Sequence, residues 1–158
     1  MLLDRMNVPK TVLVAEDDAS DAFLLQRAFE TAGLSCSLLR VTDGQEALDY
    51  LSGAKGYSDR QKYPLPDLLL LDLKMPRMGG FEVLHWLQRS REFSLLPTVV
   101  LSSSGLDEDR AKAHKLGSRA YYVKPTAFSD LVSLVLEMNA KWLGLPTTEP
   151  LETGLAGR

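Results

Sequence analysis

A chain of 158 residues with 45% hydrophobic and 25% charged residues has the make-up of one globular domain with a sizeable core. A net charge of −3 gives no bulk attraction to nucleic acid or an anionic membrane, and no apolar run approaches the ~18 residues that span a bilayer. Residues 1–10 carry Asp4 and Arg5 where a signal peptide has an apolar core, and the single cysteine, Cys36, excludes an internal disulfide, so a soluble cytoplasmic protein is expected.

After this N-terminal extension, Thr11–Ala15 reads as a short buried strand running into Glu16-Asp17-Asp18. Asp18 or Ser20 can cap the following helix, whose apolar face is expected at Phe23, Leu24, Ala28 and Phe29, with Gly33 as its C′ residue. A second strand is predicted near 35–41 and a short helix, opened by Asp43-Gly44, near 45–51. The polar segment 52–66 exceeds the usual ~2–6 residue connection, a length that marks functional or mobile loops. Four leucines between Asp67 and Asp72 are too few for a helix. They suit a central parallel strand buried on both faces and stopped by Pro76 and two glycines.

A third helix is predicted over 79–89 with Phe81, Val83, Leu84 and Leu87 inward, and His85 exposed. A fourth strand at 97–101 ends in Ser102-Ser103-Ser104, and a fourth helix covers 107–116. A fifth strand, Ala120–Val123, meets Lys124-Pro125, and a last helix fills 127–142. Five strand–helix alternations give an α/β fold with a doubly wound five-stranded parallel sheet. The domain is expected over 11–142, with a tail at 143–158 and no output domain.

All strands of a parallel sheet present their carboxyl ends at one edge, where ligands bind. That edge receives Glu16 and Asp17, Asp72, Ser102 and Lys124. Singly these are a solvated turn, a helix cap, a loop residue and a surface charge; together they form a pocket. Crowded carboxylates stay ionised if a cation neutralises them, and a donor set of oxygens favours a hard ion such as Mg²⁺. An ammonium and a hydroxyl beside them suit a phosphoryl group, for which Asp72 is the candidate nucleophile.

The stretches Val12-Leu13-Val14-Ala15-Glu16-Asp17-Asp18, Leu70-Leu71-Asp72-Leu73-Lys74-Met75-Pro76, Val100-Leu101-Ser102 and Tyr121-Tyr122-Val123-Lys124-Pro125 resemble the receiver domain of two-component response regulators. The resemblance implies the flavodoxin-like (βα)5 receiver fold and a switch, not an enzyme. Asp72 would take a phosphoryl group from a sensor histidine kinase. Asp17, Asp72 and the Lys74 backbone carbonyl would hold Mg²⁺, with Glu16 acting through water. Lys124 would pair with Asp72 or the phosphoryl oxygens, Ser102 would move toward the phosphoryl group, and Tyr121 would change rotamer. The Lys124–Pro125 bond would be cis. The 52–66 loop with its Tyr-Pro-x-Pro and the Leu-Asp-Leu-Lys-Met-Pro-Arg run resemble regulators paired with bacterial phytochromes. Ser102 stands where many relatives have Thr, Gly79 where an acidic or polar residue is frequent, and Lys74 and Ser104 occupy positions that tune phosphoryl lifetime.

The last helix carries Phe128, Leu131, Val132, Leu134, Val135, Leu136, Met138 and Trp142, more apolar surface than one sheet face requires. Either the tail, with Leu145, Leu151 and Leu155, folds over the excess, or it is a partner surface. A homodimer through the fourth helix, fifth strand and last helix is the simplest partner. Two other readings compete: a degenerate receiver acting only as a docking module, and a haloacid-dehalogenase-type phosphohydrolase. The latter needs a second Asp at position 74, which is Lys.

Overall fold

The computed structural model describes residues 9–148. Five parallel strands, β1 (Thr11–Ala15), β2 (Ser37–Val41), β3 (Leu68–Leu71), β4 (Thr98–Ser102) and β5 (Ala120–Val123), lie in the order β2-β1-β3-β4-β5. Five helices alternate with them: α1 (Ala19–Thr31), α2 (Gly44–Ser52), α3 (Gly80–Arg89), α4 (Asp107–Lys115) and α5 (Phe128–Met138).

The sheet is covered on both sides, and strand residues alternate between two cores. Val12, Val14, Leu68 and Leu70 pack under α1 and α5 with Phe29 and Val135. Leu13, Ala15, Leu69 and Leu71 pack under α2, α3 and α4 with Tyr50, Leu84 and Ala113. All four β3 leucines are buried, as the run between two aspartates implies. Register then fixes the edge: Ala15 is level with Leu71 and Ser102 with Val123, so the next residues, Glu16, Asp72 and Lys124, emerge together.

Three expectations need correction. In α1 the buried stripe is Leu25, Ala28 and Phe29, continuing to Ala32 beyond the helix. That is the i, i+3, i+4, i+7 spacing of one helical face, so Phe23 (60% exposed) and Leu24 (44%) point outward. Phe81 is only half-buried beneath Lys112, whose ammonium lies 4.3 Å from its ring centre. The Lys124–Pro125 bond is trans, the isomer that X–Pro intrinsically favours.

The last helix ends as α-helix at Met138 and widens into one π turn, Asn139–Leu143, closed by left-handed Gly144. Asn139 grips Leu145 from both sides, accepting its N–H at 2.8 Å and donating to its carbonyl at 2.9 Å. Thr148 N–H reaches the Gly33 carbonyl at 3.2 Å, so the chain up to 148 returns over the end of α1. Leu151 and Leu155 lie outside the described residues.

The long loop after α2 is stapled down. The Arg60 guanidinium donates to the carbonyls of Tyr50, Leu51, Tyr57 and Tyr63, closing the C-terminal end of α2 where carbonyls lack partners. Tyr50, Tyr57 and Tyr63 pack ring against ring at 4.8–5.9 Å. The α4 helix carries Asp107, Glu108 and Asp109 in its first turn and Lys112, His114 and Lys115 in its last, matching the helix dipole, and buries only Ala113.

Candidate functional site

The β1–α1 turn supplies the acids. Glu16 is buried and Asp17 exposed, while Asp18 caps α1 by accepting the Asp21 N–H at 2.9 Å. Arg40, from the neighbouring edge strand, clamps this turn by donating to the carbonyls of Glu16 and Asp17, each at 2.9 Å. Asp72 follows β3, is 7% exposed, and its N–H donates to the Ala15 carbonyl at 3.0 Å. One carboxylate oxygen each from Glu16, Asp17 and Asp72 lie within 4.8 Å of one another.

Lys124 is the cation among them. Its Nζ lies 2.6 Å from Glu16 Oε1, 2.8 Å from Asp21 Oδ2 and 3.2 Å from Asp72 Oδ2. Burial alone would lower its pKa, but the bonds to Asp21 and Glu16 and the charge of Asp72 outweigh it and hold the ammonium form. Burial pushes the Glu16 carboxyl up to about 7 against the opposing bonds from Lys124 and the Asp18 N–H. Three carboxylates thus face one ammonium, and a fourth, Asp17, lies beside Glu16 and Asp72. An oxygen-only donor set with excess negative charge, open on the Asp17 side, fits a hard divalent cation.

Ser102 is fully buried. Its Oγ accepts the Ser104 N–H at 3.2 Å, and as a hydroxyl it can still donate. The Lys124 N–H donates to the Ser102 carbonyl at 2.8 Å, tying these two strand ends together. The Lys74 N–H approaches Asp72 Oδ1 at 3.4 Å, which places the Leu73–Lys74 peptide unit beside the carboxylate. Tyr121 is turned inward: its ring is buried, its hydroxyl donates to the Ser104 carbonyl at 2.7 Å, and the Arg110 guanidinium covers the ring at 4.8 Å.

The structure therefore gathers Glu16, Asp17, Asp72 and Lys124 in one cluster, with Ser102 at the end of β4 and Tyr121, on β5, bonded to the adjoining β4–α4 segment. Sequence reasoning missed Asp21 and Arg40. The signal for Asp21 was its spacing four residues after Asp17, one helical turn on. Arg40 gave none, being an ordinary exposed strand residue. His85 is exposed and Trp86 stacks on Phe93 with ring centres 5.8 Å apart. Burial pushes the Cys36 thiol up to about 11, which makes it an inert filler. A hollow of about 830 Å³ between α3 and α4, lined by Leu48, Phe81 and Trp86, contains none of the strand-end residues. Phosphoryl chemistry depends on placed charge more than on volume, so the site is the charged cluster.

Fold and cluster together define a phosphoryl-handling α/β switch domain. The family model of the response regulator receiver domain matches residues 12–136. The chain is 38% identical over 136 residues to the "Probable methanogenesis regulatory protein FilR2" of Methanothrix harundinacea, covering 86% of this chain and 85% of that one. It is 31% identical over 140 residues to the response regulator Rcp1 of Synechocystis sp., covering 89% and 93%.

Among solved structures, the response regulator RPA3017 in red light signaling of R. palustris matches with a TM-score of 0.81 and 37% identity, over 89% of this chain and all (100%) of that one. The phosphorylated cyanobacterial phytochrome response regulator RcpA matches at 0.79 and 31%, with coverage of 89% and 100%. The Mn²⁺-bound form of Rcp1 matches at 0.76 and 30%, with coverage of 90% and 100%. The chain belongs to the response regulator receiver domain family. It is a phosphoacceptor switch of two-component signal transduction, served by a sensor kinase and of a kind that binds a divalent metal. No helix among the described residues is long and apolar enough to cross a membrane.

Proposed function

We propose that Asp72 accepts the phosphoryl group from a phosphohistidine of a sensor histidine kinase, in the cytoplasm, and that this kinase is a bacterial phytochrome. The observation that carries the assignment of Asp72 is the Lys124 ammonium 3.2 Å from its Oδ2. The phytochrome link is supported by the likeness to RPA3017 and RcpA.

In the transfer an oxygen of Asp72 forms a bond to phosphorus as the phosphorus–nitrogen bond breaks, its electron pair returning to the imidazole. Asp17, Asp72 and the Lys74 carbonyl would hold Mg²⁺, with Glu16 through water. When bound, such an ion would supply positive charge to offset that on the phosphoryl oxygens. Lys124 shifts its donors from Asp21 and Glu16 toward the new phosphoryl oxygens, and Ser102 donates its hydroxyl to another of them. Because the Ser104 N–H hangs on Ser102 Oγ and Tyr121 on the Ser104 carbonyl, moving Ser102 disturbs the seat of Tyr121. The change thereby reaches α4, β5 and α5, where Leu106, Val123, Phe128 and Leu136 are 38–55% exposed. A homodimer through that face is the output contact; nucleic acid and membrane play no part.

Incubation with acetyl phosphate tests the reading. Wild type is expected to acquire an acid-labile phosphoryl group with Mg²⁺ and not with EDTA. A wild-type chain that stays unmodified under both conditions defeats it.

A further inference from the structure

We infer that Asp43 and Arg77 form a latch that fixes the β3–α3 loop and so positions the Lys74 carbonyl beside Asp72, which makes Arg77 a positioning residue for cation binding. This deepens the proposed function and rests on its assignment of Lys74 and Asp72.

The loop between β3 and α3 spans residues 72–79. One end is pinned where Gly80 N–H donates to the Leu73 carbonyl at 2.8 Å; a Cβ on Gly80 would stand 2.5 Å from the Asp72 carbonyl oxygen, so only glycine permits this approach. The other end is gripped by the start of α2. The Arg77 Nε donates to Asp43 Oδ2 at 2.7 Å, and a second guanidinium nitrogen reaches the same oxygen. Next to it Gly44 N–H donates to the Met78 carbonyl at 2.8 Å, and a Cβ on Gly44 would lie 2.5 Å from that oxygen.

Arg77 itself has φ of +63°, in the left-handed region that a residue with a Cβ avoids without an external restraint. The latch supplies that restraint. An exposed ion pair ordinarily does little. Here the Asp43 side chain is only 7% exposed, and its other oxygen caps α2 by accepting the Glu46 N–H at 2.8 Å, so the carboxylate cannot turn away. Arg77 is 68% exposed, so its side chain has no packing role that truncation would destroy. Glu46 extends the anchor into the stapled loop after α2, because it accepts the Tyr57 hydroxyl at 2.6 Å and the Thr42 N–H at 2.8 Å. Lys74 lies between the two pinned ends, and its carbonyl follows their geometry.

The test uses the full chain with Arg77→Ala, Arg77→Gly and Arg77→Lys. In metal-free protein, amide exchange over residues 74–79 is expected to accelerate in Arg77→Ala and Arg77→Gly. Calorimetric Mg²⁺ affinity should fall about tenfold, the scale for losing a residue that orients a metal ligand. Acetyl phosphate labelling should slow at low Mg²⁺ and recover at saturating Mg²⁺, and Arg77→Lys should restore part of the loss. Unchanged exchange and Mg²⁺ affinity in Arg77→Ala overturn the latch. So does wild-type behaviour in Arg77→Gly, which would mean that backbone strain and not the ion pair matters. If wild type itself binds no Mg²⁺, the site assignment fails instead, while the metal-free exchange still decides whether the latch holds the loop.

Discussion

Asp67 and Asp72 flank the same four leucines and end the same strand, yet they do different things. Asp67, at the amino end, accepts the Thr11 N–H at 2.9 Å and ties the start of β1 to β3. Asp72, at the carboxyl end, shares a small volume with Glu16 and Asp17 and faces Lys124. At the amino edge a carboxylate satisfies one backbone donor. At the carboxyl edge, parallel strands converge with acids, a hydroxyl and an amine, so the same side chain becomes a candidate reactive group. Position within the sheet, not residue type, sets the chemistry.

The sharpest way to break this contrast is to exchange each aspartate in turn. Asp72→Asn is expected to abolish acetyl phosphate labelling while circular dichroism shows the fold intact. The counterpart Asp67→Ala should label at the wild-type rate. Next comes Lys124→Ala: beryllofluoride with Mg²⁺ is expected to shift the elution volume of wild type in size-exclusion chromatography and to leave this variant unmoved. An equal shift in both would deny Lys124 its relay role.

A smaller effect lies on the structural side of the comparison. Asp67→Ala removes one partly buried hydrogen bond and should cost about 1 kcal/mol in urea unfolding, visible as a lower midpoint at unchanged slope. The smallest is a pH effect away from the cluster. Burial would raise the Asp43 pKa, but the Glu46 N–H and the Arg77 guanidinium more than offset it and hold the carboxyl below its ordinary value. A carboxyl depressed in the folded state adds stability that is fully present above about pH 4 and fades as pH falls through the lower folded value. The acid branch of the stability curve should therefore be shallower in Arg77→Ala than in wild type.

Much of this was legible in the sequence because strand periodicity and strand ends are local signals. The run Leu68–Leu71, buried on both sides, and the residues at the carboxyl ends of β1, β3, β4 and β5 needed only the rule that parallel strands share an edge. What escaped depends on contacts across the fold. Asp21 reads as a polar first-turn residue until Lys124, 103 positions away, reaches it. The polar 52–66 segment looks unanchored because composition does not show that Arg60 finds four carbonyls. Phe23 and Leu24 were misplaced because two adjacent apolar residues leave the phase of a helix face undetermined until Leu25 is seen to carry it.

Both aspartates of the comparison fall between Lys62 and Lys74, so trypsin releases them in one peptide, residues 63–74. Labelling with acetyl phosphate and Mg²⁺, then borohydride reduction of the acyl phosphate and fragment-ion sequencing of that peptide, distinguishes them. The reduced residue is expected at position 72 alone. Reduction at position 67, or a peptide carrying no modification while another residue of the chain is labelled, would contradict the account.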